Sequence, residues 1–296
     1  MSHLLAFGLL LLGSSLAWAG ETKSETVDAK GPFEKGVAAL EKRDFDAAIA
    51  AFTEAIRLDP KDPHAYYNRG IAYGEKGDLD KAIADESEAV RLDPKDAQAF
   101  YNRGLAYGKK GDFEKAIIDY SEAIRLDPKD SQAYYNRGLA CVKQGNLDKA
   151  LADFTKAIEL DPKDGQAYGR RGVTYARQGE TDKALDDFGK AIELDPKDAD
   201  SLFGRATAYM KKGDTDKAIA DYSEALRLES KDAESYCGRG LAHMKKGELE
   251  KAIADFTDAI RLDPKHGEAI HNRGLAYARK SEQHLEQAKK LGYRPQ

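Results

Sequence analysis

The chain has 296 residues, 41% hydrophobic and 33% charged, with 47 Lys+Arg against 52 Asp+Glu and a formal net charge of -5. That length admits one or two ordinary domains or a modular array. An acidic balance with no basic stripe interleaved with aromatics excludes a nucleic-acid surface, which would need phosphate neutralisation.

In chain order, the first element is an export signal. An apolar run from Leu4 to Leu12 leads to Ala17-Trp18-Ala19 before Gly20, a small-x-small pattern that predicts a secretory signal over 1–19, cleaved between Ala19 and Gly20. The leading segment carries only the α-amino group and His3 in place of Lys or Arg, so an uncleaved anchor is the alternative, although the run is short for a span. The expectation is an exported protein, periplasmic or secreted, with no stable membrane insertion after cleavage. Residues 20–28 read as a short linker.

From there the sequence repeats. Leu-Asp-Pro-Lys begins at Leu58, Leu92, Leu126, Leu160, Leu194 and Leu262, and Pro60, Pro94, Pro128, Pro162 and Pro196 are each 34 residues apart. Gly70, Gly104, Gly138, Gly172, Gly240 and Gly274 keep that period, as do Ala82, Ala116, Ala150, Ala184, Ala218 and Ala252. A fixed period of this size predicts a solenoid. In one unit, Phe100, Gly104 and Tyr107 share a helical face, and Ala116, Tyr120 and Ala123 share another after Gly111-Asp112. Gly111 is placed for a turn, Asp112 and Asp130 for N-caps, and Pro128 for a helix stop.

These residues resemble the tetratricopeptide repeat pattern: its aromatic, Gly, Tyr, Ala, aromatic, Ala and Pro fall on Phe100, Gly104, Tyr107, Ala116, Tyr120, Ala123 and Pro128. The resemblance implies an all-α, right-handed α-solenoid of tandem helix-turn-helix repeats with a C-terminal capping helix. Seven repeats would occupy 29–266, starting at Ala29, Pro63, Ala97, Ser131, Gly165, Ala199 and Ala233, and 267–296 would form a half-repeat and cap.

Departures from the pattern mark special places. Pro32 replaces the leading aromatic of the first repeat, Ala206 and Ser230 replace Gly and Pro in the sixth, and Glu86 stands where the others have Phe52, Tyr120, Phe154, Phe188, Tyr222 and Phe256. A carboxylate there should cost about 1–3 kcal/mol unless Arg69 or Arg103 reaches it or it escapes to water. It reads as a soft spot or, more sharply, a hinge.

The family presents one face of each first helix to a concave groove, so the residues between core positions are the candidate partner-binding set. They are His64, Tyr67 and Asn68; Gln98, Tyr101, Asn102 and Lys109; Gln132, Tyr135, Asn136 and Lys143; with Arg170 and Asn272. Asn68, Asn102 and Asn136 carry both donor and acceptor and suit the backbone of an extended peptide; they look like the asparagine ladder of some tetratricopeptide superhelices. The competing reading is that the amides stabilise neighbouring first helices. The ladder breaks at Arg170, Gly204 and Gly238, and Tyr67, Ile71, Tyr101 and Leu105 stand where a carboxylate clamp would need Lys and Asn. Lys109, Lys143, Arg177, Lys211, Lys245 and Arg279 form a row that reads as solvated surface or as a lip for an acidic partner. Arg69, Arg103, Arg137, Arg171, Arg205, Arg239 and Arg273 read as partners for Asp on the second helices.

Catalysis has little support. No phosphate loop, zinc-spaced His pair or Ser/His/Asp set stands out; Cys237 and His271, equivalent residues of adjacent repeats that are expected to face the groove, are the nearest approach to a nucleophile and base. No cofactor, metal or small-molecule substrate is expected. Cys141 and Cys237 are almost three repeats apart; with layers about 8–10 Å apart they lie beyond disulfide reach, so two free thiols are expected. The function that follows is a non-catalytic scaffold binding protein or peptide segments in its groove as an adaptor, assembly or co-chaperone-like factor. The alternative is a self-associating structural scaffold.

Overall fold

Helix length in this chain is set by the residues at each end. The structure, a computed structural model, describes residues 29–293, so the expected signal over 1–19, the expected Ala19/Gly20 cleavage site and the whole of the expected linker over 20–28 lie outside the described residues. In α5 (Ala97–Lys110) the Asp96 carboxylate accepts from the Gln98 and Ala99 N–H groups at 2.9 and 3.4 Å, which fixes the start. The helix stops at Gly111, whose φ of 85° is the left-handed conformation that only glycine adopts without strain. Asp112 accepts from the Lys115 N–H at 3.2 Å and opens α6 (Phe113–Leu126), which ends at extended Asp127 before Pro128.

This punctuation recurs, and the described chain divides after Leu160 into two units. The first holds α1 (Lys30–Glu41), α2 (Phe45–Leu58), α3 (Pro63–Lys76), α4 (Leu79–Leu92), α5, α6, α7 (Ser131–Lys143) and α8 (Leu147–Leu160). The second holds α9 (Gly165–Gln178), α10 (Thr181–Leu194), α11 (Ala199–Lys212), α12 (Thr215–Leu228), α13 (Ala233–Lys246), α14 (Leu249–Leu262) and α15 (Gly267–Lys290). The described residues form no strand. Each unit is a stack of helix-turn-helix pairs, with α15 following the last pair of the second unit, the all-α solenoid architecture that the period predicts. No helix of the described residues is long and apolar enough to cross a membrane.

Inside each pair, a glycine on the first helix receives a ring from the second. A Cβ on Gly104 would lie 2.8 Å from the Tyr120 ring, and one on Gly138 would lie 2.8 Å from that of Phe154. The fully buried Ala116 and Ala150 keep the helices close. In the first repeat the leading position is Pro32, yet Phe33 beside it meets Phe52 edge-on at 5.6 Å, so an aromatic contact is retained.

Ion pairs knit the layers. Arg103 forks onto Asp119 at 2.8 and 2.7 Å and also donates to Ser87 Oγ on the previous repeat's second helix at 3.3 Å. Arg69–Asp85, Arg137–Asp153, Arg171–Asp187, Arg205–Asp221 and Arg239–Asp255 repeat the fork, as the sequence predicts. Arg273 is the exception: its bond is to Thr257 Oγ1 at 3.5 Å, and among the described residues no carboxylate forms an ion pair with it. Cys141 and Cys237 are free and buried.

Within each unit the two rows of helices behave differently. In the first unit α1, α3, α5 and α7 touch one another in order while α2, α4, α6 and α8 do not; in the second α9, α11, α13 and α15 touch while α10, α12 and α14 do not. One row in mutual contact opposite a row held apart makes the first-helix side of each unit concave.

Candidate functional site

The concave face of the first unit is built from α3, α5 and α7. His64, Gln132 and Lys143 are exposed on it, and Tyr67, Asn68, Gln98 and Lys109 are half-buried. Tyr101, Asn102, Tyr135 and Asn136 sit deeper, at 8, 4, 7 and 5% exposure. The Tyr101 ring packs on Tyr120 with centroids 5.8 Å apart, and Tyr135 packs on Phe154 at 5.9 Å. These rings form the floor of the face rather than an open stacking surface.

The amides are directed sideways as well. Asn136 Nδ2 donates to the Tyr101 hydroxyl at 2.8 Å and to the Gln132 carbonyl at 3.0 Å, and its Oδ1 meets no donor. Asn102 takes the equivalent place beside Tyr67. Burial holds both hydroxyls above the ordinary tyrosine range, helped by Glu86 and Asp96 at Tyr67 and by Asp130 at Tyr101. Asn68 donates to its own turn, at the His64 carbonyl, at 2.8 Å. The three asparagines therefore do not form a uniform row of free amides.

Beneath Tyr67 lies Glu86, with no exposed surface; neither carboxyl oxygen makes a well-aligned hydrogen bond, although the Asn102 amide stands close enough to favour its charged form slightly. Neither arginine rescues it, because Arg69 is forked onto Asp85 and Arg103 onto Asp119, and the side chain does not escape to water. Burial first, then the charges of Asp96 and Asp85, push its carboxyl well above the ordinary glutamate range.

In the second unit Arg170 is half-buried and Asn272, at 9% exposure, donates to the Glu268 carbonyl at 3.0 Å. The gaps in the ladder have a steric cause. A Cβ on Gly204 would lie 2.6 Å from the Phe188 ring, and one on Gly238 would lie 2.6 Å from the Tyr222 ring, so no asparagine fits there. A pairing rule in the sequence foreshadows these two glycines: the Tyr that precedes each bonded Asn by 35 residues is Gly169 before Gly204 and Phe203 before Gly238, although Tyr135 is kept before Arg170. Sequence reasoning missed that signal.

The thiol and imidazole singled out in the sequence do not make a reactive pair. Cys237 is not groove-facing but core, packed with Ala252, Phe256, Ala259, Ala269 and Ala276, while His271 is exposed. Burial, with Glu268 and Glu234, pushes the Cys237 thiol up to about 12, the opposite of an activated nucleophile. Along the basic row Lys143, Arg177, Lys211, Lys245 and Arg279 are exposed. Lys110, Lys212 and Lys246 beside it are paired with Asp80, Asp182 and Asp216.

Profiles described as Tetratricopeptide repeat match residues 33–97, 101–165, 165–198, 188–220 and 233–266, and one described as TPR repeat matches 206–247. The chain belongs to the tetratricopeptide repeat family. Among solved structures, this tetratricopeptide chain is similar to a tetratricopeptide repeat protein from Parabacteroides merdae ATCC 43184, at 25% identity and TM-score 0.62, covering 84% of this chain and 98% of that one. A MamA crystal structure matches at 32% identity and TM-score 0.53 over 55% of this chain and 96% of its own. The MamA fragment from Desulfovibrio magneticus RS-1 matches at 25% identity and TM-score 0.56 over 60% and 99%. No curated protein matches by sequence. The coarse function is that of the fold, a protein–protein interaction scaffold, and scaffolds of this kind are typically non-catalytic.

Proposed function

We propose that the concave first-helix face of this tetratricopeptide chain binds extended peptide or protein segments, as an adaptor, assembly or co-chaperone-like factor. The observation that carries this is the mutual contact of first helices within each unit, which gathers side chains from successive repeats onto one inward face. In the first unit that face offers polar groups still open to solvent, notably His64, Gln132 and Lys143. Tyr101 and Asn136 act as its rigid floor. Affinity then comes from several modest contacts along a strand, with the half-buried Tyr67 and Asn68 at one end. The apolar run and Ala17-Trp18-Ala19 support the reading that this binding occurs in an exported setting, periplasmic or secreted; N-terminal sequencing of the mature protein should begin at Gly20.

Site-specific photo-crosslinking tests the surface. A crosslinker at His64 or Gln132 should capture partner segments from envelope extracts, whereas one at the exposed Arg91 or Arg125 on the second helices should not. Equal capture from both faces, or capture from the second helices alone, would refute the groove.

A further inference from the structure

The face of α15 that every other first helix buries is open. In α5 the side holding Phe100, Arg103, Gly104 and Tyr107 is closed by α6. The equivalent α15 residues are Ile270, Arg273, Gly274 and Tyr277. Ile270 is 45% and Tyr277 55% exposed, and a Cβ on Gly274 would meet nothing within 4 Å. At Gly36, Gly104, Gly138, Gly172 and Gly240 that Cβ would come within 3.1 Å of a ring on the following second helix. The cause is local. Ser281 stands where Gly77, Gly111, Gly145, Gly179, Gly213 and Gly247 turn the chain at positive φ, so α15 runs on to Lys290. The residues in register with Asp119 and Tyr120 are Lys289 and Lys290.

We propose that this face is a docking site for an amphipathic helix from a partner protein, one carrying the pattern small-x-x-Asp-aromatic-x-x-small and lying on α15 as a second helix supplied in trans. Charge sets the acid: six equivalent arginines each grip a buried Asp, whereas Arg273, among the described residues, holds only the Thr257 hydroxyl. Shape sets the ring, because Gly274 keeps the notch that admits one in the other repeats. A second copy of this chain is a poor source. Each of its Asp-containing second helices is already closed on its own arginine and would have to unfold from its repeat to dock. The site is built on α15 of the second unit and uses none of the groove residues of α3, α5 and α7, so the two proposals stand or fall separately.

The probe is a labelled peptide of residues 247–264, Gly-Glu-Leu-Glu-Lys-Ala-Ile-Ala-Asp-Phe-Thr-Asp-Ala-Ile-Arg-Leu-Asp-Pro, which carries the pattern at Asp255 and Phe256. Fluorescence anisotropy with the full chain should show saturable binding, weakened at least about tenfold by Phe256→Ala or Asp255→Asn in the peptide, since ring anchors and desolvated charge pairs dominate such contacts. Gly274→Leu in the protein puts a side chain into the notch at a place where an added Cβ meets nothing within 4 Å, and should abolish binding while leaving helicity intact. Substitutions at His64 and Gln132 should leave peptide binding unchanged. The proposal is overturned if the folded chain does not bind the peptide, or if Gly274→Leu binds it as well as the parent. It is overturned too if sedimentation shows a dimer that Gly274→Leu dissociates, since the face would then belong to a second copy.

Discussion

The Asn136 amide donates to the Tyr101 hydroxyl at 2.8 Å across 35 residues of sequence, so α7 is tied to α5 by side chains whose atoms lie out of the solvent. Asn102 stands likewise beside Tyr67, one repeat earlier. Where Phe203 lacks the hydroxyl, the partner position is Gly238, and where Gly169 lacks the ring, it is Gly204. The series links one layer to the next, and its first consequence is for stability rather than for ligands.

Asn136→Ala should therefore lower the urea midpoint, by about 1–2 kcal/mol for a buried amide that also strands the Tyr101 hydroxyl. Tyr101→Phe should cost about 1 kcal/mol, and the double variant should cost less than the sum, because both remove the same bond. Asn68→Ala, whose amide bonds only its own turn, should leave the midpoint nearly unchanged. Additive losses at Asn136 and Tyr101 would show that the bond carries no coupling and would return Asn136 to the ligand-binding set.

The fold was legible because its period repeats the same cap, turn and stop residues: Asp112, Gly111 and Pro128 act as their types predict. The arginine forks were legible too, since Arg and Asp recur with one spacing. The depth of the site was not. Tyr134-Tyr135-Asn136-Arg137-Gly138 reads the same whether Tyr135 faces solvent or a ring on the paired helix, and only the contact with Phe154 settles that Tyr135 lies at the floor. Cys237 was misplaced for the same reason. A pattern fixes which helix face a residue occupies, whereas burial depends on the size of the side chains opposite.

Glu86 gives a pH test with a definite sign. Its folded carboxyl is held above the ordinary value of 4.5 by burial, so the folded state keeps a proton that the unfolded state releases. Stability from this group is fully present below the unfolded value and declines as pH rises towards the folded one. Melting temperatures of the parent and Glu86→Gln should converge near pH 4 and separate towards pH 8, with the variant the more stable by about 1–3 kcal/mol. Glu86→Tyr, whose ring would enter the Gly70 notch as Tyr120 enters that of Gly104, should raise the melting temperature as well. A pH-independent gap would mean that the carboxyl is solvated, and no gain with Tyr would remove the soft spot and with it any hinge at α3 and α4.

The forks and the surface pairs should respond differently to loss of the acid. Asp119 is 3% exposed and accepts both arms of Arg103, so Asp119→Asn leaves a part-buried guanidinium without its anion and should cost about 2–4 kcal/mol. Glu122→Gln removes an equally short contact to Arg125 on the open side of α6, yet the thermal midpoint should hardly move and should not depend on salt. Equal losses would mean that geometry rather than desolvation sets the worth of these pairs.

Gly104 and Gly274 share the motif Asn-Arg-Gly-Leu-Ala-Tyr, and the structure gives substitutions at them opposite signs. An Ala Cβ at residue 104 would sit 2.8 Å from the Tyr120 ring, forcing the ring or α6 to move, an overpacking cost of about 1–3 kcal/mol that outweighs the gain in helix propensity. The sixth repeat shows what such a change requires: Ala206 occupies this position, and the Tyr222 ring there presses against the second glycine, Gly238. Residue 136, at the place of Gly238, is Asn, so the third repeat has no such relief. At residue 274 the added Cβ meets nothing, leaving only the propensity gain of about 0.5–1 kcal/mol. Gly104→Ala should therefore lower the melting temperature and Gly274→Ala should raise it, both read by circular dichroism. Destabilisation by Gly274→Ala would mean that a helix already covers this face of α15 in the purified protein.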